Sequence, residues 1–286
     1  MSRGQTAKIA QPISGDKLYQ DRARQAFPLL VRQAEAHQPI CYSDLAEELG
    51  MPNPRNLNYV LGSIGQTIEN LSAVWKESVP PIQCLVINKS TGLPGEGIGW
   101  FLVKKEQFAK LPQSKRREIV HGELARIWAY PKWPAVLEAV DLSPTTVTFK
   151  DNNRAAAIGV GGGEGDAHRA FKAFVAKNPE RFDLPGSTPC GSVELPLPSG
   201  DSLDVSFQTG SEWVAAEVKS SISSDSDIVR GLYQCVKYQA VMQAVEAAEN
   251  RERTGRAILV LQGKLPRQLV ALKNILGVTV FDGVEA

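Results

Sequence analysis

The feature that most constrains this chain is the break in its patterning over Asp151–Gly163, a polar run that ends in Gly159-Val160-Gly161-Gly162-Gly163. Glycine is the least restricted residue and loses the most freedom on ordering, so such a run joins folded segments and does not build one. It lacks the G-K-[ST] of a phosphate-binding loop and does not complete G-x-G-x-x-G, so an interdomain joint is the better account. Before it, apolar residues recur mainly at helical spacing; after it, strand alternation is interleaved with helical runs. A length of 286 residues also favours two cores over one. The chain reads as an N-terminal domain over 18–105, a helical connector over 106–158 and a C-terminal domain over 159–286.

In the N-terminal part, Ala23, Phe27, Leu30, Val31 and Ala34 predict a helix over Leu18–His37. Ser43 is placed as the N-cap of a short second helix that closes at Gly50. Pro52 and Pro54 break the chain before a third helix over Asn56–Leu71. Strands at Cys84–Asn88 and Ile98–Val103, joined by the turn Lys89–Gly97, complete a helical domain with a two-stranded wing, the winged helix-turn-helix order. Residues 104–141 read as further helices, and their charged run Lys115-Arg116-Arg117 would either contact phosphate or form a solvated face.

After the joint, a helix over Glu164–Asn178 precedes strands at Ser192–Leu197, Ser202–Gln208 and Glu212–Ser220. A long helix over Asp225–Asn250, a strand at Arg256–Gln262, a helix at Arg267–Leu276 and a strand at Val278–Phe281 follow. The order αβββαβαβ predicts an α/β domain with a mixed sheet flanked by helices.

Net charge of +1 gives the whole chain no bulk attraction to nucleic acid. The halves differ: residues 1–150 hold 18 Lys/Arg against 14 Asp/Glu, and residues 151–286 hold 14 against 17. A mildly basic first half suits phosphate contacts and a mildly acidic second half suits a cation. Cys41, Cys84, Cys190 and Cys235 lie far apart without metal-ligand spacing, which excludes a Cys/His zinc motif and points to a reducing interior. With 43% apolar residues but no uninterrupted membrane-length run, the protein is expected to be soluble and cytoplasmic, with no membrane partner.

The hairpin at Ser202–Ser220 is where chemistry concentrates. Gly210-Ser211 suits a two-residue type II′ turn, with Gly210 supplying a positive φ. That turn pairs residues whose numbers sum to 421 and sets Asp204 opposite Glu217, with Lys219 on the same face. The other face collects Leu203, Val205, Phe207, Val214, Ala216 and Val218. The plainest reading is a half-exposed hairpin with solvated charges. Two opposed carboxylates repel unless a cation lies between them, however, and Val214–Val218 is otherwise apolar. Two carboxylates can hold Mg²⁺, and a nearby lysine can orient a nucleophile or stabilise a charged transition state. Of the neighbouring groups, Asp201 falls on the wrong face, Asp225 and Asp227 read as helix caps, Cys235 as core and His168 as a solvated helix residue.

Asp204, twelve residues, then Glu217-Val218-Lys219 resembles the PD-(D/E)XK nuclease superfamily, with Leu203 where many members have proline. Glu164, at the start of the first core helix, matches an additional acidic ligand of many members. Gln234-Cys235-Val236-Lys237-Tyr238 is similar to the Q-x-x-x-Y of the RecB-type branch. The resemblance covers about residues 160–286. It implies a Mg²⁺-dependent endodeoxyribonuclease (Mn²⁺ able to substitute) that serves restriction, anti-phage defence or DNA repair. Asp204, Glu217 and Glu164 would be metal ligands, Lys219 would be catalytic, and Gln234 with Tyr238 would position substrate. DNA is the implied partner, with RNA as a further candidate substrate and a homodimer for double-strand cleavage. The competing reading is a non-enzymatic DNA-binding or regulatory protein on a decayed nuclease fold.

Residues 40–101 resemble the DNA-binding domain of alkylguanine-DNA alkyltransferases and alkyltransferase-like proteins, through Ile40–Ala46, Leu57–Leu71, Val79–Val86 and Thr91–Gly95. Aligned on Pro81, the nucleophilic cysteine position holds Ile82 and the following histidine position holds Gln83; Cys84 falls two residues late. Alkyl transfer is therefore not expected. The resemblance implies a DNA-binding or protein-interaction module whose third helix would present Arg55, Asn56, Asn58, Ser63 and Gln66 to DNA.

Overall fold

The computed structural model describes residues 9–102, 107–145 and 165–286. Contacts divide the chain into two units, Met1–Thr146 and Val147–Ala286.

The first unit is built on α1 (Leu18–Glu35), whose predicted apolar stripe Ala23, Phe27, Leu30, Val31 and Ala34 is fully buried. Behind it come β1 (Ile40–Cys41), α2 (Tyr42–Glu48) and α3 (Leu57–Trp75). Cys41, and not Ser43, is the N-cap of α2, because the short strand runs directly into the helix. A single turn of tighter helix at Pro54–Asn56 starts α3, capped by the Asn53 side chain. The two-stranded wing is not formed. Cys84 lies in a helical turn over Ile82–Leu85, and only Val86–Ile87 is extended, as β2. Strand β2 pairs in parallel with β1, so its hydrogen bonds go to Ile40 and Cys41. Ile98 ends a further turn, Glu96–Ile98, that leads into helix α4 (Gly99–Leu102). Both segments read as strands from their apolar residues, but a run this short carries no period that separates strand from helix, and among the described residues only Val86–Ile87 finds a pairing partner. Helices α5 (Gln113–Ala129) and α6 (Trp133–Glu138), expected as part of a connector, send Val120, Leu124, Ile127, Trp133, Val136 and Leu137 into the same core as α1 and α3.

The second unit runs α7 (Asp166–Lys177), β3 (Ser192–Pro196), β4 (Ser202–Gln208), β5 (Glu212–Lys219), α8 (Asp225–Ala248), β6 (Thr254–Leu261), α9 (Val270–Leu276) and β7 (Thr279–Phe281). Its strands form one five-stranded mixed sheet in sequential order. Strands β3, β4 and β5 are antiparallel neighbours, whereas β6 and β7 add in parallel after helical crossovers. Phe171, Val175 and Phe182 cover one face over Val205, Phe207, Val214, Ala216 and Val218. Leu232, Cys235, Met242 and Leu272 cover the other over Trp213, Ala215 and Leu259. Ser224, and not Asp225 or Asp227, caps α8; Asp227 completes a reciprocal capping box with it.

The hairpin register is the one the turn arithmetic requires, Val205↔Ala216 through Gln208↔Trp213. The turn itself differs. Gly210 is absent from the positive-φ residues, so the type II′ geometry is not adopted. Instead the Thr209 hydroxyl accepts the Glu212 amide at 2.9 Å, holding the reversal with a side chain.

Candidate active site

Asp204 sits where the sheet opens. Pairing of β4 with β5 ends at Val205↔Ala216, and pairing of β3 with β4 skips Glu194 and Asp204 between two regular rungs. Glu194 has a φ of 55°, which bends the edge strand at that point. Alternation slips here as well: Leu203 joins the core under α8 while Val205 joins the core under α7, so the predicted single apolar face is split. Freed from the ladder, the Asp204 carboxylate reaches sideways, and its Oδ2 accepts the Val218 amide of β5 at 2.9 Å. It is thus brought beside the Glu217 strand through a backbone contact, in place of the plain cross-strand rung expected.

Glu217 is 2% exposed. Lys219 Nζ lies 2.6 Å from its Oε1, whereas its Oε2 is buried without a hydrogen-bond partner among the described residues. Burial pushes the Glu217 carboxyl above the usual range, the Asp204 charge adds to this, and Lys219 opposes it. From α8, Gln234 Nε2 donates to the Tyr238 hydroxyl at 3.3 Å, and that hydroxyl donates to the Ser202 carbonyl at 3.1 Å. Gln234 Oε1 is a second buried acceptor with no partner. Burial raises the Tyr238 hydroxyl, with Glu217 and Asp204 adding to it, so this residue keeps its proton and serves as a hydrogen-bond donor. Helix α8 comes this close because Gly231 has no side chain: a Cβ there would stand 3.1 Å from Lys219 Cε and 2.9 Å from Leu259 Cδ1.

The structure therefore brings together Asp204, Glu217, Lys219, Gln234 and Tyr238. Glu164 lies outside the described residues. Among the described residues, no three His, Cys, Asp or Glu side chains converge as a metal site. The donor set nonetheless suits a hard cation: two carboxylates lie side by side, each beside one ammonium, and among the described residues Glu217 Oε2 and Gln234 Oε1 are buried oxygens without a hydrogen-bond donor, while Mg²⁺ keeps much of its shell as water. One neighbour was missed. Lys172 of α7 places Nζ 2.8 Å from Asp204 Oδ1 and also pairs with Glu194. Its helical spacing with Phe171 and Val175 reads as a boundary lysine, and only the sheet opening at Asp204 brings it inward. Asp201 is held by Lys237 at 2.7 Å on the exposed rim.

In the first unit, a cleft of about 700 Å³ is lined by Tyr42, Arg55, Asn58, Gln83, Asn88 and Arg116 among others. Of the predicted contact residues Arg55 and Asn58 reach it, whereas Asn56 and Gln66 do not line it. Ser63 is buried and donates to the Gln11 carbonyl, so it is unavailable. Gln83 was not singled out as a contact, yet both ends of its buried amide lack hydrogen-bond partners among the described residues. Cys84 is fully buried and its thiol is raised by burial, which removes the thiolate that alkyl transfer needs. No helix among the described residues is long and apolar enough to cross a membrane. Comparison with known protein families, with curated proteins and with solved structures finds no match to this chain.

Proposed function

We propose that this protein is a metal-dependent deoxyribonuclease of the PD-(D/E)XK type, with its centre in the second unit and a DNA-engaging first unit. The observation that carries the reading is Glu217: a carboxylate buried beside that of Asp204, whose Oε2 has no hydrogen-bond partner within bonding geometry among the described residues. Asp204 and Glu217 would hold the cation. Bound Mg²⁺ supplies an acidified water and offsets charge on the phosphate. Lys219, already tethered to Glu217, would hold its ammonium at the attacking water or the phosphoryl oxygens. The Tyr238 hydroxyl and the Gln234 amide form a polar rim for the nucleic-acid backbone.

The first unit supports a targeting role through its cleft. The unpaired Gln83 amide offers an adjacent donor and acceptor, the pattern that reads a base edge, with Arg55 at the mouth for phosphate. Defence and repair are both served by such an arrangement, and double-strand cleavage would require a homodimer with two centres.

The test is incubation with plasmid, single-stranded DNA and RNA in Mg²⁺ or Mn²⁺. DNA cleavage is expected, with Lys219→Ala lowering the rate by at least roughly a hundredfold. Intact DNA with wild type, or equal cutting by the variant, removes the catalytic assignment. Arg55→Glu should weaken DNA affinity while leaving metal binding unchanged. A second reading, DNA binding without cleavage, is favoured by one observation: each carboxylate already has an ammonium partner, Lys172 or Lys219. DNA binding without any turnover in the same assay supports that reading.

A further inference from the structure

Lys172 stands against the Asp204 carboxylate, which the proposed function makes a metal ligand. It projects from α7 beneath the sheet opening, and its side chain is 7% exposed. Its Nζ is 2.8 Å from Asp204 Oδ1, while Asp204 Oδ2 accepts the Val218 amide, so both oxygens of this carboxylate are engaged. Glu194, half exposed at the bend in β3, shares the same ammonium from the other side. A unit charge buried this deeply persists only while an anion answers it. A divalent ion at Asp204 would face that ammonium at a few ångströms, where repulsion in a partly buried site amounts to several-fold to many-fold in affinity.

We propose that Lys172 is a placeholder cation: in the metal-free protein it occupies the Asp204 carboxylate, and metal loading requires it to release Oδ1 and withdraw toward Glu194. This rests on the reading of Asp204 and Glu217 as cation ligands. It gives Lys172 two consequences that a structural salt bridge would not have. It keeps the carboxylate cluster folded without metal, and it sets the metal concentration at which the site fills. Glu194 is suited to receive the displaced ammonium, being half exposed and outside the ladder.

Calorimetric titration with Mn²⁺ alone, without DNA, tests this on the full chain. Lys172→Gln should bind Mn²⁺ roughly tenfold tighter or better, because the competitor is gone. Lys172→Arg, which keeps the charge, should stay near wild type. Asp204→Asn should lose the site. In thermal unfolding, Lys172→Gln should melt lower than wild type in chelator and recover more on adding Mn²⁺. Unchanged or weaker Mn²⁺ binding in Lys172→Gln, with Asp204→Asn still inactive in binding, overturns the placeholder and leaves the centre standing. Wild-type Mn²⁺ affinity in Asp204→Asn, or no Mn²⁺ binding by any variant, removes the cation centre and the placeholder with it. A Lys172→Gln protein that stays unfolded in both chelator and Mn²⁺ also overturns it, since the ion would then be unable to stand in for the ammonium.

Discussion

At the scale of single residues, Glu217 is a carboxyl buried in the second unit beside the charge of Asp204. Its carboxyl is pushed up to about 7, first by burial and then by Asp204. In the unfolded chain the same group ionises near its ordinary value of 4.5. A raised acid contributes stability that is complete below the unfolded value and is lost as pH climbs through the folded one. Metal-free protein should therefore lose stability between about pH 4.5 and about pH 7 as this carboxyl ionises. Urea unfolding of wild type and Glu217→Gln in chelator, at about pH 5 and about pH 8, isolates it: the gap between the two proteins should move with pH. A constant gap contradicts the assignment. Gly231 is the second residue of this kind. In Gly231→Ala, the gain in helix propensity, about 1 kcal/mol, is opposed by a Cβ pressed on Lys219 and Leu259. Stability should change by about 1 kcal/mol or less, whereas DNA cleavage should fall roughly ten- to a hundredfold as the lysine is displaced. Single-turnover cleavage beside a melting curve separates the two effects.

At the scale of elements, the hairpin of β4 and β5 sets the site. Its register followed from counting outward from Gly210-Ser211, and the pairs of residues 205–208 with 213–216 obey that count. The turn type did not follow, because a side chain competed for the same amides: the Thr209 hydroxyl accepts from Ser211 and Glu212. The difference has a measurable sign. Gly210 has no positive φ and open space around a would-be Cβ, so Gly210→Ala should stabilise by about 0.5 kcal/mol through the unfolded state. A type II′ turn would instead be destabilised by the same change. Thr209→Val should cost about 1 kcal/mol, the worth of the lost hydrogen bonds. Chemical denaturation of both variants decides between the turns. The bend at Glu194 and the gap at Asp204 had no sequence signal, since both residues fit an ordinary alternating strand.

At the scale of the whole chain, the helices that read as a connector complete the first unit's core. A fragment ending at residue 105 strips Val120, Ile127, Trp133 and Val136 from beneath α1 and α3, and should fail to unfold cooperatively. A fragment ending at residue 146 should unfold cooperatively, and circular dichroism on heating compares them. What the sequence by itself determined is local or periodic: the helices of both units, the strand order αβββαβαβ, the hairpin register, and the grouping of Asp204, Glu217 and Lys219 with Gln234 and Tyr238 one helical turn apart. The elements and the register follow from periods of 2 and 3.6 and from a short turn, which need no knowledge of distant partners, whereas setting Gln234 and Tyr238 beside the hairpin came from the resemblance to a nuclease superfamily. Only the tertiary structure decided that β2 pairs in parallel with β1 and forms no wing, and that Gln83 faces a cleft unpaired. It alone also brought Lys172 across from another helix to the Asp204 carboxylate. Each of these depends on which strand or helix packs beside a residue, and that is settled by long-range burial and pairing, which leave no period in the chain to read.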